Sequence, residues 1–224
     1  MKMENYSIDH QINIWAHIIT GIIAMSLAII ILITIKGNKF HKKMGRAFLA
    51  FLVVVIFTGF IGSIIYRGNP YLLVLTILSG YYGFSGFRIL KTKSNIPKKL
   101  DLVVAIASLG LGIYFIDYLN STEMFWNPTI IYSTFGALFI IITYDFLRYF
   151  LNTKRYNKLW LYEHIYKMIA AFTALLAAAI GTLFPDHQPY SQLFPSVIGT
   201  LLAIGFIVFY YIRNNPRPKT KKNS

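Results

Sequence analysis

Cysteine is absent from the 224 residues of this chain. Disulfide bonds, thiolate metal sites, iron–sulfur ligation and a cysteine nucleophile are therefore all excluded. Acidic residues are also scarce, with 8 Asp and Glu against 22 Lys and Arg, for a formal net charge of +14. Few side chains are left that could act as acids, bases or ligands.

Charged residues of both signs make up only 13% of the chain, whereas hydrophobic residues make up 56%. Apolar stretches of at least about 18 residues alternate with short polar segments, which is typical of a polytopic helical membrane protein. These stretches leave no room for a separate water-soluble domain. The sequence therefore predicts an all-α fold, a polytopic membrane helix bundle.

Seven of these stretches are long enough to cross a hydrocarbon core of about 30 Å. Pro70, Pro128 and Pro195 stand where helices are expected to begin. We expect one seven-helix transmembrane domain over residues 1–213 and a basic cytoplasmic tail over 214–224. The predicted helices are 12–35, 47–66, 71–90, 100–119, 128–148, 160–184 and 194–213.

Basic residues are concentrated in alternate connecting segments: the first, third and fifth loops and the tail, with the helix ends next to them, hold 19 of the 22. By the positive-inside rule the N-terminus is expected outside and the C-terminus in the cytoplasm, which requires an odd number of spans. The excess basic residues are then expected to determine the membrane orientation and to contact anionic lipids at the cytoplasmic face, rather than to bind nucleic acid. This pattern indicates a multi-pass membrane protein.

Small residues recur at helical spacing in several spans, as in Ser79, Gly83 and Gly86 of the third. Such residues let helix backbones approach closely. The pattern favours tight packing within one bundle, and a homodimer face is the alternative.

Ionisable groups at membrane depth are the first candidates for function, because they are expensive to bury. His17 lies toward the outer end of the first span, with Gly21 one turn away. A second group is expected near the cytoplasmic ends of several helices: His41, Arg46, Asp145, Arg148, Glu163, His164 and Lys167.

This second group of charged residues has a purely structural interpretation as well. Glu163 with Lys167, and Asp145 with Arg148, have spacings that favour ion pairs along one helix, and basic side chains near span ends extend to the headgroups.

Haem b in helical bundles is usually held by two histidines at similar depth. His41 and His164 meet that condition if the first loop folds inward, with Arg46 or Arg148 pairing with the propionates. His17 lies toward the opposite face and cannot share a haem with His164. A quinone held by the same cytoplasmic-side histidines is an equivalent expectation.

Other classes lack their required residues. The seventh span has no lysine for a retinal Schiff base, no His-x-x-x-His pair indicates a zinc hydrolase, and no phosphate loop is present. We therefore expect no protein-bound metal site.

Three motifs resemble a bacterial membrane-protein family known as domain of unknown function 2306. They are His17-x-x-x-Gly21, the segment His41-Lys42-Lys43-Met44-Gly45-Arg46, and the segment from Trp160 to Met168 that contains Glu163-His164. The segment from Phe194 to Thr200 is also similar, whereas Lys42 stands where the family more often has Arg. The resemblance implies a protein of a bacterial inner (cytoplasmic) membrane. It also implies that His17, His41, Arg46 and His164 are better site candidates than the loop residues His10 and His187, and it supplies no reaction.

The leading hypothesis from the sequence is a membrane redox protein that binds haem b or a quinone. A small-molecule or proton-coupled carrier is the second, with His17, Glu163 and His164 relaying protons. A scaffold without a ligand is the third. The sequence leaves open whether the protein is an enzyme, and it identifies no catalytic residue.

Overall fold

The structure is a computed structural model that describes residues 6–67, 70–94, 96–121, 128–150 and 153–214. Seven long helices and two single turns of 3-10 helix account for its secondary structure, and no strand occurs in the described ranges. All seven helices are long and apolar enough to cross a membrane. The predicted all-α, multi-pass architecture agrees with this. The helices are α1 (Ile8–Ile33), α2 (Lys39–Ile64), α3 (Pro70–Thr92), α4 (Lys99–Ser121), α5 (Pro128–Leu147), α6 (Thr153–Leu183) and α7 (Tyr190–Asn214).

Helix α2 begins eight residues earlier than the hydropathy pattern predicted. Asn38 caps it, since its side-chain Oδ1 accepts a hydrogen bond of 2.6 Å from the backbone N–H of His41. His41 and Arg46 therefore lie on the first turns of a helix and not in an inward-folding loop. Hydropathy marks the part of a helix that suits lipid, whereas the cap marks where the helix begins.

Helix α7 also begins before its predicted start. It starts at Tyr190, directly after Pro189, so Pro195 lies inside the helix rather than at its first turn. One proline near a helix end removes a single backbone hydrogen bond, which the helix tolerates. At the other end, residues 215–224 of the predicted basic tail lie outside the described residues.

Helices α3 and α6 form the centre of the bundle. They pack closely along their lengths, while α1 pairs with α2 and α7 packs on α6. Small residues permit this approach: Ser79 Oγ donates to the Ala171 carbonyl at 3.2 Å, and a Cβ on Gly86 would lie 3.0 Å from Lys167 Cβ. The predicted role of the small residues in packing within the bundle is thus confirmed.

Candidate functional site

Four charged side chains, Asp145, Arg148, Glu163 and Lys167, meet between α5 and α6, and we call them the ion quartet. Arg148 Nη1 lies 2.9 Å from Glu163 Oε2, and Lys167 Nζ donates to Asp145 Oδ1. Two longer contacts close the group: Arg148 Nε to Asp145 Oδ1 at 3.7 Å, and Lys167 Nζ to Glu163 Oε2 at 3.9 Å. Two acids and two bases leave the group without net charge.

All four residues are buried within the protein. Their exposed fractions run from 0% for Lys167 to 8% for Asp145. Arg148 and Lys167 do not extend toward headgroups as span-end residues often do, because each is held by carboxylates inside the bundle. Charges at this depth are stable only when they are paired and hydrogen-bonded.

Two tyrosines complete the hydrogen bonding of the carboxylates. Tyr81 on α3 donates to Asp145 Oδ2 at 2.8 Å, and Tyr144 on α5 donates to Glu163 Oε1. Sequence reasoning missed both, since a tyrosine inside a buried helix carries no pattern that distinguishes it from an ordinary core residue.

The pairs within one helix that the spacing predicted are present, but they are the two longer contacts of the quartet. The two shorter pairs join different helices: Asp145 on α5 pairs with Lys167 on α6, and Arg148 in the turn after α5 pairs with Glu163 on α6. Sequence spacing can identify partners on the same helix only, so it missed the interhelical pairs.

A second ion pair borders the quartet. Arg88 on α3 contacts both carboxylate oxygens of Asp101 on α4, at 2.6 and 3.2 Å. Both residues line a small cavity of about 20 Å³ together with Asp145 and Arg148. Charged groups of α3, α4, α5 and α6 therefore form one continuous region.

The structure does not bring Arg46 into this region. Its side chain is exposed on α2, and it forms no hydrogen bond or ion pair with any residue that the structure describes. The sequence grouped it with the quartet because both lie toward the same end of the bundle.

His164 lies on α6 and His41 on α2, and neither takes part in the contacts given for the quartet. His164 Nδ1 forms a 3.0 Å hydrogen bond with the Gly86 carbonyl of α3. His41 is partly buried and close enough to His164 for their charges to interact. Its Nδ1 is buried and has no hydrogen-bond partner among the described residues. That these two histidines are close enough to share a ligand stays a prediction.

His17 lies at the other end of the bundle, between α1 and α2. Its Nδ1 is 2.9 Å from Thr58 Oγ1. Gly21, one turn from His17, adjoins open space, since a Cβ there would meet nothing within 4 Å. The glycine that adjoins the ring is Gly59, where a Cβ would lie 3.5 Å from His17 Cε1.

No three His, Asp or Glu side chains in the described ranges are grouped so that they could hold a metal ion. Comparison with protein-family models, with curated proteins and with solved structures finds no match for this chain. The resemblance to domain of unknown function 2306 stays a prediction.

Proposed function

We propose that the protein is a membrane redox protein that holds haem b between His41 and His164, near the cytoplasmic face of a bacterial inner membrane. The observation that carries the proposal is the hydrogen bond from His164 Nδ1–H to the Gly86 carbonyl. Histidines that ligate metals typically donate their second ring N–H to a carbonyl or carboxylate, which fixes the tautomer and leaves the other nitrogen as a base. Here that base is His164 Nε2.

The second proposed ligand is supported by an unpartnered polar atom. A buried ring nitrogen without a hydrogen bond is unfavourable unless something else binds the ring, and His41 has such a nitrogen. The two imidazoles come from α2 and α6 at the same end of the bundle, as a haem with two histidine ligands requires. Bound there, the haem would supply one-electron transfer.

The basic groups available to the propionates differ from those that the sequence suggested. Arg148 is occupied by Glu163 and Asp145, so it is not a partner for a propionate. Lys36 and Lys42 lie close enough to His41 for their charges to interact. Lys36 Nζ also donates to the carbonyl of Leu32 at 2.7 Å, which positions it at the end of α1. We propose these two lysines as the propionate partners, with the exposed Arg46 as a third.

Titration of the purified, haem-free protein with haemin tests this function. Saturation at one haem per chain is expected for the wild type, and His41→Ala and His164→Ala should each lose tight binding. His17→Ala is the matched control, since His17 is hydrogen-bonded to Thr58 at the opposite end of the bundle. Equal binding by all four proteins would contradict the proposal.

The ion quartet supports a second candidate, a proton-coupled carrier. Buried ionisable groups in membrane helices commonly lie on ion or proton pathways, and the quartet contains two carboxylates that a proton could neutralise. His17 and His164 do not contact the quartet through any described hydrogen bond, so this carrier would use Asp145 and Glu163 instead. Proton flux into vesicles under an imposed potential, compared for wild type and Glu163→Gln, tests it. Flux equal to that of protein-free vesicles would remove the candidate.

A further inference from the structure

A cavity of about 190 Å³ lies between α3, α5, α6 and α7. Helix α7 packs on α6, whereas α5 packs on α3 and α4, so the cavity separates α5 from α7. Ser133 of α5 and Ser196 of α7 both line the cavity and are exposed. The cavity therefore has an opening between these two helices. Both serines lie within candidate membrane spans, so the opening faces lipid.

Gln192 on α7 lines this cavity and has an unused hydrogen-bond donor. Its side chain is only 2% exposed, and its Oε1 accepts a 2.8 Å hydrogen bond from Ser191 Oγ. Its Nε2 has no hydrogen-bond partner among the residues that the structure describes. Gly181 of α6 makes room for this amide, since a Cβ there would lie 2.7 Å from Gln192 Nε2. A buried amide donor without a partner is unfavourable, so an acceptor in the cavity would be stabilising.

The lining of the cavity specifies a neutral ligand. None of its lining residues is charged, and alanine, leucine and glycine alternate in the wall with serine, threonine and tyrosine. At the end away from Gln192 lie Tyr82 and Tyr166, whose hydroxyls hydrogen-bond to each other and whose rings meet edge to face at 6.0 Å. The cavity thus has an uncharged wall in which the amide of Gln192 has the unused donor.

The volume restricts what can enter. Pockets that enclose a whole drug-sized ligand measure roughly 300–1,000 Å³, which is larger than this cavity. A single ring fits, and a long apolar tail attached to it would extend through the opening into the bilayer.

We infer that this cavity binds the ring of a lipid-soluble quinone, with a ring carbonyl accepting a hydrogen bond from Gln192 Nε2. The site is distinct from the cytoplasmic-side histidines, where the sequence alone placed a quinone. The inference goes beyond the proposed haem function and does not rest on it, because no residue of the cavity is a proposed haem ligand.

Equilibrium binding of tritiated decylubiquinone to the detergent-purified full chain tests the inference. The wild type should bind saturably at one site per chain. Gln192→Leu should weaken binding about tenfold, the upper end of what one neutral hydrogen bond contributes. Ser196→Leu should weaken it as well, by blocking the opening. Gln11→Leu is the matched control, since Gln11 lies on α1 and bonds to the Tyr6 carbonyl.

Two measurements keep the outcome decisive. Ser196 is exposed, so Ser196→Leu is expected to fold even if Gln192→Leu does not, and thermal unfolding checks both variants. His164→Ala should bind decylubiquinone like the wild type, which separates this site from the haem site. Saturable binding that Gln192→Leu and Ser196→Leu leave unchanged would overturn the inference. Unsaturable binding by every variant would assign the cavity to lipid acyl chains and overturn it too.

Discussion

Arg148 Nη1 lies 2.9 Å from Glu163 Oε2, and this ion pair joins the turn after α5 to the N-terminal half of α6. Both side chains are less than a tenth exposed. The pair holds together two helices whose backbones make few close contacts, because α5 packs mainly on α3 and α4. Long charged side chains, rather than small apolar ones, therefore bridge α5 and α6 at this level.

Removing one charge from the ion quartet should destabilise the protein more than removing two opposite charges. Lys167→Met leaves an unbalanced carboxylate in the bundle and is expected to lower stability by about 3 kcal/mol. The double variant Lys167→Met with Asp145→Asn restores neutrality and should be less destabilised than the sum of the two single variants. Unfolding in detergent for the four proteins measures this coupling.

Lys91→Met is the control for the quartet experiment. Lys91 is exposed on α3 and lies over the Phe87 ring, so its loss should change stability by less than about 0.5 kcal/mol. Strictly additive effects of Lys167→Met and Asp145→Asn would show that the quartet does not act as a coupled unit.

Gly199→Ala should displace α7 from α6. A Cβ at this position would come within 2.8 Å of Thr173 Cβ, a close approach that neither backbone can relieve without moving. We expect a loss of about 1–3 kcal/mol, measured as a lower unfolding temperature. At Gly205 on the same helix a Cβ would meet nothing within 4 Å, so Gly205→Ala should be neutral or stabilising. Equal effects at the two positions would contradict the described packing of α7.

The His17–Thr58 contact is expected to stabilise the α1–α2 pair without any role in haem binding. Thr58→Val keeps the shape of the side chain but removes the hydroxyl that lies 2.9 Å from His17 Nδ1. The expected cost is about 1 kcal/mol of stability. Thr182→Val is matched to it, because Thr182 bonds back to its own helix at the Ala178 carbonyl and is exposed. If Thr58→Val altered the haem spectrum, the assignment of His17 to a structural contact would be wrong.

The proposed orientation can be tested directly because the chain has no cysteine of its own. Asp186→Cys places a thiol between α6 and α7, and Ile96→Cys places one between α3 and α4, both at exposed positions. With the N-terminus outside, a membrane-impermeant maleimide should label Asp186→Cys in intact cells and Ile96→Cys only after lysis. The reverse pattern would invert the topology.

The seven helices could be predicted from the sequence because a membrane span needs about 20 apolar residues, and such runs are unmistakable. The ends of the helices could not be predicted in the same way. The start of α2 depends on the Asn38 cap, and the start of α7 depends on the turn at Pro189. Gln192 was missed for this reason, since it fell before the predicted start of the seventh span.

The site could be predicted as a set of residue types but not as a set of contacts. His41 and His164 were predicted to share one side of the membrane, and that they hold one ligand stays a prediction. Which charged residues contact one another could not be predicted, because this depends on which helices pack against α3. That neighbourhood brings Tyr81 to Asp145, while Arg46 is left exposed on α2.

The measurement that tests the central claim most directly is an absorption spectrum, oxidised and dithionite-reduced, of protein purified from membranes grown with a haem precursor. The wild type is predicted to show a Soret band that His41→Ala and His164→Ala lose and that His17→Ala retains. A featureless wild-type spectrum from cells with an adequate haem supply would contradict the account.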